Sequence, residues 1–120
     1  MEKSNLFFLF ALITVLFFRI AITILNYLGK EAHIFYRGYI VHHFWFGFIF
    51  LLIGWPIFAR YKTLGIVLYG IGFGPIVDEL IFMLIGGGGF SYYLAPASWI
   101  GAFAMTFVLF LFKTKIINFC

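Results

Sequence analysis

Two adjacent histidines, His42 and His43, open the apolar stretch IVHHFWFG, and two adjacent carboxylates, Asp78 and Glu79, lie inside a second one, GFGPIVDELIF. A third apolar run, near the N-terminus, carries Arg19, and Arg37 lies five residues before His42. Imidazole and carboxylate side chains together can ligate a divalent cation, carry protons or hold an ion pair. A nitrogen and oxygen donor set of this kind suits zinc, iron or manganese. The candidate ligands are His42, His43, Asp78 and Glu79, and the wider polar cluster adds Arg19 and Arg37.

Spacing limits what these groups can do. Neighbours on a helix point about 100° apart, so neither pair aims both members at one point. Each pair can instead flank a groove, one member per side. The pattern is not the i, i+4 histidine pair of a zinc-protease helix, nor the Glu-x-x-His repeat of di-iron bundles. Bis-histidine haem ligation is disfavoured because the first, third and fourth apolar segments contain no histidine.

The elements that must position these groups follow from composition. The 120 residues are 65% hydrophobic, 24% aromatic and only 10% charged, where about a quarter is charged in soluble domains. The mean hydropathy is +1.13. These values predict an all-α polytopic membrane bundle in one domain, with no room for a soluble catalytic module. A span needs about 20 apolar residues, and four segments qualify, at about 6–28, 40–58, 64–85 and 96–112. Pro96 suits a first helical position, and the short ARYKT link makes the second and third spans antiparallel neighbours. The N-terminal run continues past Arg19 to Leu28, too long for a signal-peptide core. Cys120, the single cysteine, has no partner for an internal disulfide.

Lys3, Arg60, Lys62, Lys113 and Lys115 fall on one side of this arrangement and Lys30 and Arg37 on the other. That bias predicts both termini in the cytoplasm. The +4 formal charge is then a topology and anionic-lipid signal, and nucleic acid is not an expected partner. The same topology puts His42 and His43 about 3–5 Å below the outer end of the second span, Asp78 and Glu79 about 10 Å deep, and Arg19 about 14 Å deep. Thr23 and Asn26 follow Arg19 at i+4 and i+7 and share its face by spacing. Intramembrane polarity therefore gathers at one depth from at least three helices.

Small residues let helices approach closely in lipid. In the third span Gly70 and Gly74 lead to Asp78 at i+8, while Gly65 and Gly72 lead to Glu79. Gly47 and Gly54 form a matching stripe on the second span. Pro75 removes one helical hydrogen bond, which gives either a kink or a break. A break would place Asp78 and Glu79 in the first turn of a half-helix, where the dipole favours anions. The loop GGGGFSYYLAPASW supplies aromatics for an interfacial belt, or a lid over the cluster.

RGYIVHHFWFG followed by GIGFGPIVDEL resembles a group of small, uncharacterised prokaryotic four-span integral membrane proteins. Their pattern is an arginine, a His-His pair, and a Gly-x-Gly-x-x-x-Asp-Glu span. The matching positions are Arg37, His42, His43, Gly47, Gly72, Gly74, Asp78, Glu79, Tyr92 and Tyr93, within about residues 37–99. This chain departs from the pattern after the second tyrosine, where it has Leu94-Ala95-Pro96. The resemblance implies a shared polar site and no established activity.

Three functional readings remain. One is a membrane-embedded site for a metal, a lipid headgroup or a small molecule. Another is a structural or assembly subunit whose cluster fixes helix packing. The last is a small ion or proton pathway completed by oligomerisation. The expected partners are the lipid bilayer and further copies of the chain.

Overall fold

The computed structural model describes residues 1–29, 34–36, 39–41, 43–84 and 95–119. Among these the architecture is all-α, with helices α1 (Lys3–Tyr27), α2 (Phe44–Arg60), α3 (Lys62–Leu84) and α4 (Pro96–Phe119). Between α1 and α2 lies a short antiparallel pair, β1 (Ile34–Tyr36) and β2 (Tyr39–Val41), with Phe35 opposite Ile40. Three helices, α1, α3 and α4, are long and apolar enough to cross a membrane; α2 is apolar but has 17 residues.

The second span corrects the sequence reading. Ile40 and Val41 belong to β2, and the helix begins at Phe44 with His43 as its N-cap residue. His43 therefore precedes the helix, because the alternating YIV segment pairs with IFY in a ladder before the helix starts. The fourth helix extends seven residues beyond the expected 112, and α1 and α3 shift by one to three residues at each end. Gly29, at φ 71°, stops α1 by taking the left-handed conformation just past its end. Ala95 accepts the amides of Ser98 and Trp99, with Pro96 at the first helical position as its fixed φ favours. Pro75 lies inside α3, which continues unbroken to Leu84, so the half-helix alternative is not adopted.

α3 is the hub against which the other three helices pack. Its glycine stripes face different partners. Gly70 and Gly74 meet α1, where a Cβ on Gly70 would lie 2.6 Å from the Phe7 carbonyl oxygen and one on Gly74 would lie 2.5 Å from Thr14 Cβ. Gly65 and Gly72 meet α2, against the Phe58 backbone and the Gly47 carbonyl. Gly54 completes that seam beside Leu68 and Tyr69. The sequence pattern thus identified both seams. It did not identify Gly101, through which α4 closes on Ile81.

Registers along these seams give the directions. Phe7, Thr14 and Arg19 ascend with Gly70, Gly74 and Asp78, so α1 is parallel to α3. Phe58, Gly54 and Gly47 descend against Gly65, Tyr69 and Gly72, so α2 is antiparallel to it. Asn5 bonded to Lys113, Phe8 edge-on to Phe110 and Arg19 bonded to Ser98 make α4 antiparallel to α1. Phe7, Ala11, Val15, Ile66, Tyr69 and Leu109 lead the main core, and Ile22 and Phe82 form a smaller one beyond the polar cluster. Large apolar side chains cover the outside, among them Phe17, Leu52, Trp55, Ile100 and Phe107, each more than 60% exposed.

Candidate functional site

Each of the two α3 stripes ends in a carboxylate, and each carboxylate meets the helix its stripe packs on. Asp78 continues the α1 seam to Arg19, whose Nε donates to Oδ1 at 2.5 Å. Glu79 continues the α2 seam to the start of that helix, where its Oε2 accepts the Phe44 amide at 3.1 Å. His43 has no capping bond from its own side chain, so Glu79 caps α2 from across the interface. A carboxylate at that position also complements the helix dipole.

The His43 ring lies between the two acids. Its Nε2 is 2.8 Å from Asp78 Oδ2 and its Nδ1 is 2.9 Å from Glu79 Oε1. Adjacent residues 100° apart can therefore serve one group when that group is a ring placed between them, with a nitrogen on each side. Phe18 of α1 stacks on the imidazole, centroids 4.2 Å apart and planes 6° from parallel.

α4 joins through Arg19. The guanidinium Nη2 donates to the carbonyl of Asp78 at 3.0 Å and to the Oγ and carbonyl of Ser98 at 3.0 and 3.3 Å. Its Cζ lies 5.0 Å from the Trp99 ring centroid, a cation–π distance. All four helices consequently meet at one knot. Arg19 is 1% exposed, Asp78 0% and Glu79 3%.

Each of the four carboxylate oxygens has a partner: the Arg19 Nε–H, the Phe44 N–H, and the two ring nitrogens of His43. Such pairing matters because an unpaired buried charge is among the costliest groups to bury.

The sequence-predicted residues divide as follows. Arg19, His43, Asp78 and Glu79 are brought together. His42, Arg37, Tyr92, Tyr93 and the glycine-rich lid segment lie outside the described residues. Thr23 turns its hydroxyl back onto the Arg19 carbonyl and Asn26 is exposed, so neither extends the cluster. Trp99, expected in an interfacial belt, flanks Arg19. Ser98 and Phe18 were not foreseen, since one serine and one of nineteen phenylalanines carry no spacing signal. Among the described residues no group of three or more His, Cys, Asp or Glu side chains is arranged to hold a metal ion.

Compared with known proteins, the chain matches no family model, no curated protein and no solved structure.

Proposed function

We propose that this chain is a four-span integral membrane protein whose Arg19–Asp78–His43–Glu79 cluster is an assembly clasp fixing the packing of its helices. The observation that carries this reading is the closure of the cluster, in which each of the four carboxylate oxygens meets a partner. Apolar side chains outside and charged ones inside reverse the arrangement of a soluble domain. Lipid tails give helices no hydrophobic reason to associate with each other, so close packing and interhelical hydrogen bonds must hold them. Charged groups within a bilayer face the bundle interior and pair.

The orientation follows from charge. The helix ends bearing Lys3, Arg60, Lys62, Lys113 and Lys115 share one end of the bundle, and the positive-inside rule directs that end to the cytoplasm. The clasp then lies toward the outer face. α2, at 17 residues, is the shortest of the four helices.

A double-mutant cycle tests the clasp. Arg19→Met and Asp78→Asn should each destabilise the detergent-solubilised protein, and the double variant should lose less than their sum. Strictly additive losses would refute the clasp. Alkaline carbonate extraction of membranes tests insertion, with release into the soluble fraction as the contrary result.

A second reading, a metal or headgroup site, is favoured by one observation: an imidazole with a carboxylate oxygen within 2.9 Å of each of its ring nitrogens. A cation there would have to replace a present hydrogen bond of His43 or recruit His42. Metal analysis of purified protein, compared with His43→Ala and Asp78→Ala, tests it, and a metal-free wild type removes it. A proton or ion pathway has less support. Away from the clasp, the Thr14 and Thr106 hydroxyls are bonded to carbonyls of their own helices.

A further inference from the structure

We infer that the α2–α3 elbow is a binding site for one anionic phospholipid, with Lys62 on the phosphate and the apolar walls beside it on the hydrocarbon. The inference rests on the membrane reading and adds a ligand at the end of the bundle opposite the clasp.

The elbow is short and held from both sides. α2 ends at Arg60, α3 begins at Lys62, and Tyr61 alone joins them. The Tyr61 amide donates to the Ile57 carbonyl at 2.7 Å, and the Tyr61 carbonyl accepts the Gly65 amide at 2.9 Å. Gly65 lets α3 lie directly on the Phe58 backbone, so the two helices diverge from a fixed corner. Lys62 stands at that corner between two hollows. One, of about 260 Å³, is lined by Trp55, Phe58, Ala59, Lys62 and Tyr69. The other, of about 480 Å³, is lined by Tyr61, Lys62, Thr63, Leu64 and Val67. Small-molecule sites fall at about 300–1,000 Å³, so the pair is on the scale of a small ligand. The first hollow runs from Lys62 to Tyr69, about 10 Å along α3. That length takes a headgroup and the start of a chain, and is too short to seat a membrane-spanning helix.

Charge identifies the headgroup. Lys62 is exposed, and among the described residues it pairs with no carboxylate. Asp78 and Glu79 are buried in the clasp at the far end, which leaves Glu2 as the remaining described carboxylate. Arg60 adds a second cation, its Cζ 5.5 Å from the centroid of the Tyr61 ring that lines the larger hollow. The other lysines at this end are placed differently: Lys113 is bonded to Asn5, and Lys115 lies over Phe112. A lysine stem can follow an apolar surface while its ammonium reaches the headgroup level, and basic groups there attract anionic lipid. A free anion would use Lys62 but has no use for walls built from Trp55, Phe58, Leu64 and Val67. An amphiphile with a negative head uses both.

The test is native mass spectrometry of the full chain in detergent, supplied with phosphatidylglycerol or with phosphatidylcholine of the same acyl chains. One phosphatidylglycerol should be retained in preference to phosphatidylcholine. Lys62→Ala should cut that preference about fivefold, the contribution of one basic group at an anionic surface, and Lys62→Arg should keep it. Lys115→Ala removes the same charge from the same end and should leave the preference unchanged. Trp55→Ala should weaken retention of phosphatidylglycerol with every cation in place. Equal losses for Lys62→Ala and Lys115→Ala would overturn the site and leave a diffuse attraction to the basic end. Displacement of the lipid by inorganic phosphate at equal concentration would overturn the lipid assignment in favour of a free anion. Protein that stays in carbonate-washed membranes yet shows no lipid preference would refute the site alone, whereas release from the membrane would refute the membrane reading itself.

Discussion

The two ends of this bundle are held together by different physics. At the end carrying His43, Asp78 and Glu79, four helices converge on directional, charge-assisted hydrogen bonds. At the end carrying Lys3, Arg60 and Lys113, they are held by close approach along glycine seams and by apolar contact, such as Phe7 edge-on to Phe73. Glycine seams set distance but leave rotation and sliding loosely fixed, because a smooth surface packs almost as well after a small shift. A knot of paired, hydrogen-bonded side chains tolerates no such shift. The seams bring the helices close, and the knot sets their register.

Substitutions that attack one end and not the other test this division. The largest effect belongs to Asp78→Ala, which leaves Arg19 buried and takes an acceptor from His43. Removing one partner of a buried ion pair costs about 3–5 kcal/mol, and unfolding in detergent should read that loss. Glu79→Gln is the next step down, at about 1.5–3 kcal/mol for a hydrogen bond to a charged group. Its signature is local, with faster amide exchange at Phe44 and Gly47 than at Gly70. At the opposite seam, Gly74→Val forces a side chain against Thr14 and Ala11 and should cost about 1–3 kcal/mol. Should Gly74→Val prove costlier than Asp78→Ala, the seam would be the stronger determinant and the comparison would reverse. The smallest effects are expected for Thr106→Val, whose hydroxyl only bonds back to its own helix, at about 1 kcal/mol or less. Lys113→Ala, at the bundle end, should fall within about 0.5 kcal/mol.

Much of the fold was legible because it depends on local chemistry. Apolar runs long enough to span a bilayer appear as helices, Pro96 marks a start, and glycines at i+4 and i+7 lie on interfaces. The stripes ending in Asp78 and Glu79 were readable as two faces of one helix. The partner of each face was not, since the choice between α1, α2 and α4 depends on how helices are arranged around α3. The start of the second helix was misplaced for a similar reason. Ile40 and Val41 are as apolar as helix residues, and only pairing with β1 distinguishes a strand there.

Taken alone, the sequence determined that polar groups would be rare, that they would lie on three apolar segments, and that an arginine was available to meet two acids. Composition and period are sufficient for that, because both are properties of single helices. Only the tertiary structure decided that one imidazole lies between both acids, that Glu79 caps another helix, and that Ser98 and Trp99 enclose the arginine. The hydrogen bonds among them join residues 35 to 79 positions apart. Hydrogen bonds are directional and short-ranged, so they exist only once packing has fixed the separation and rotation of the helices that carry them.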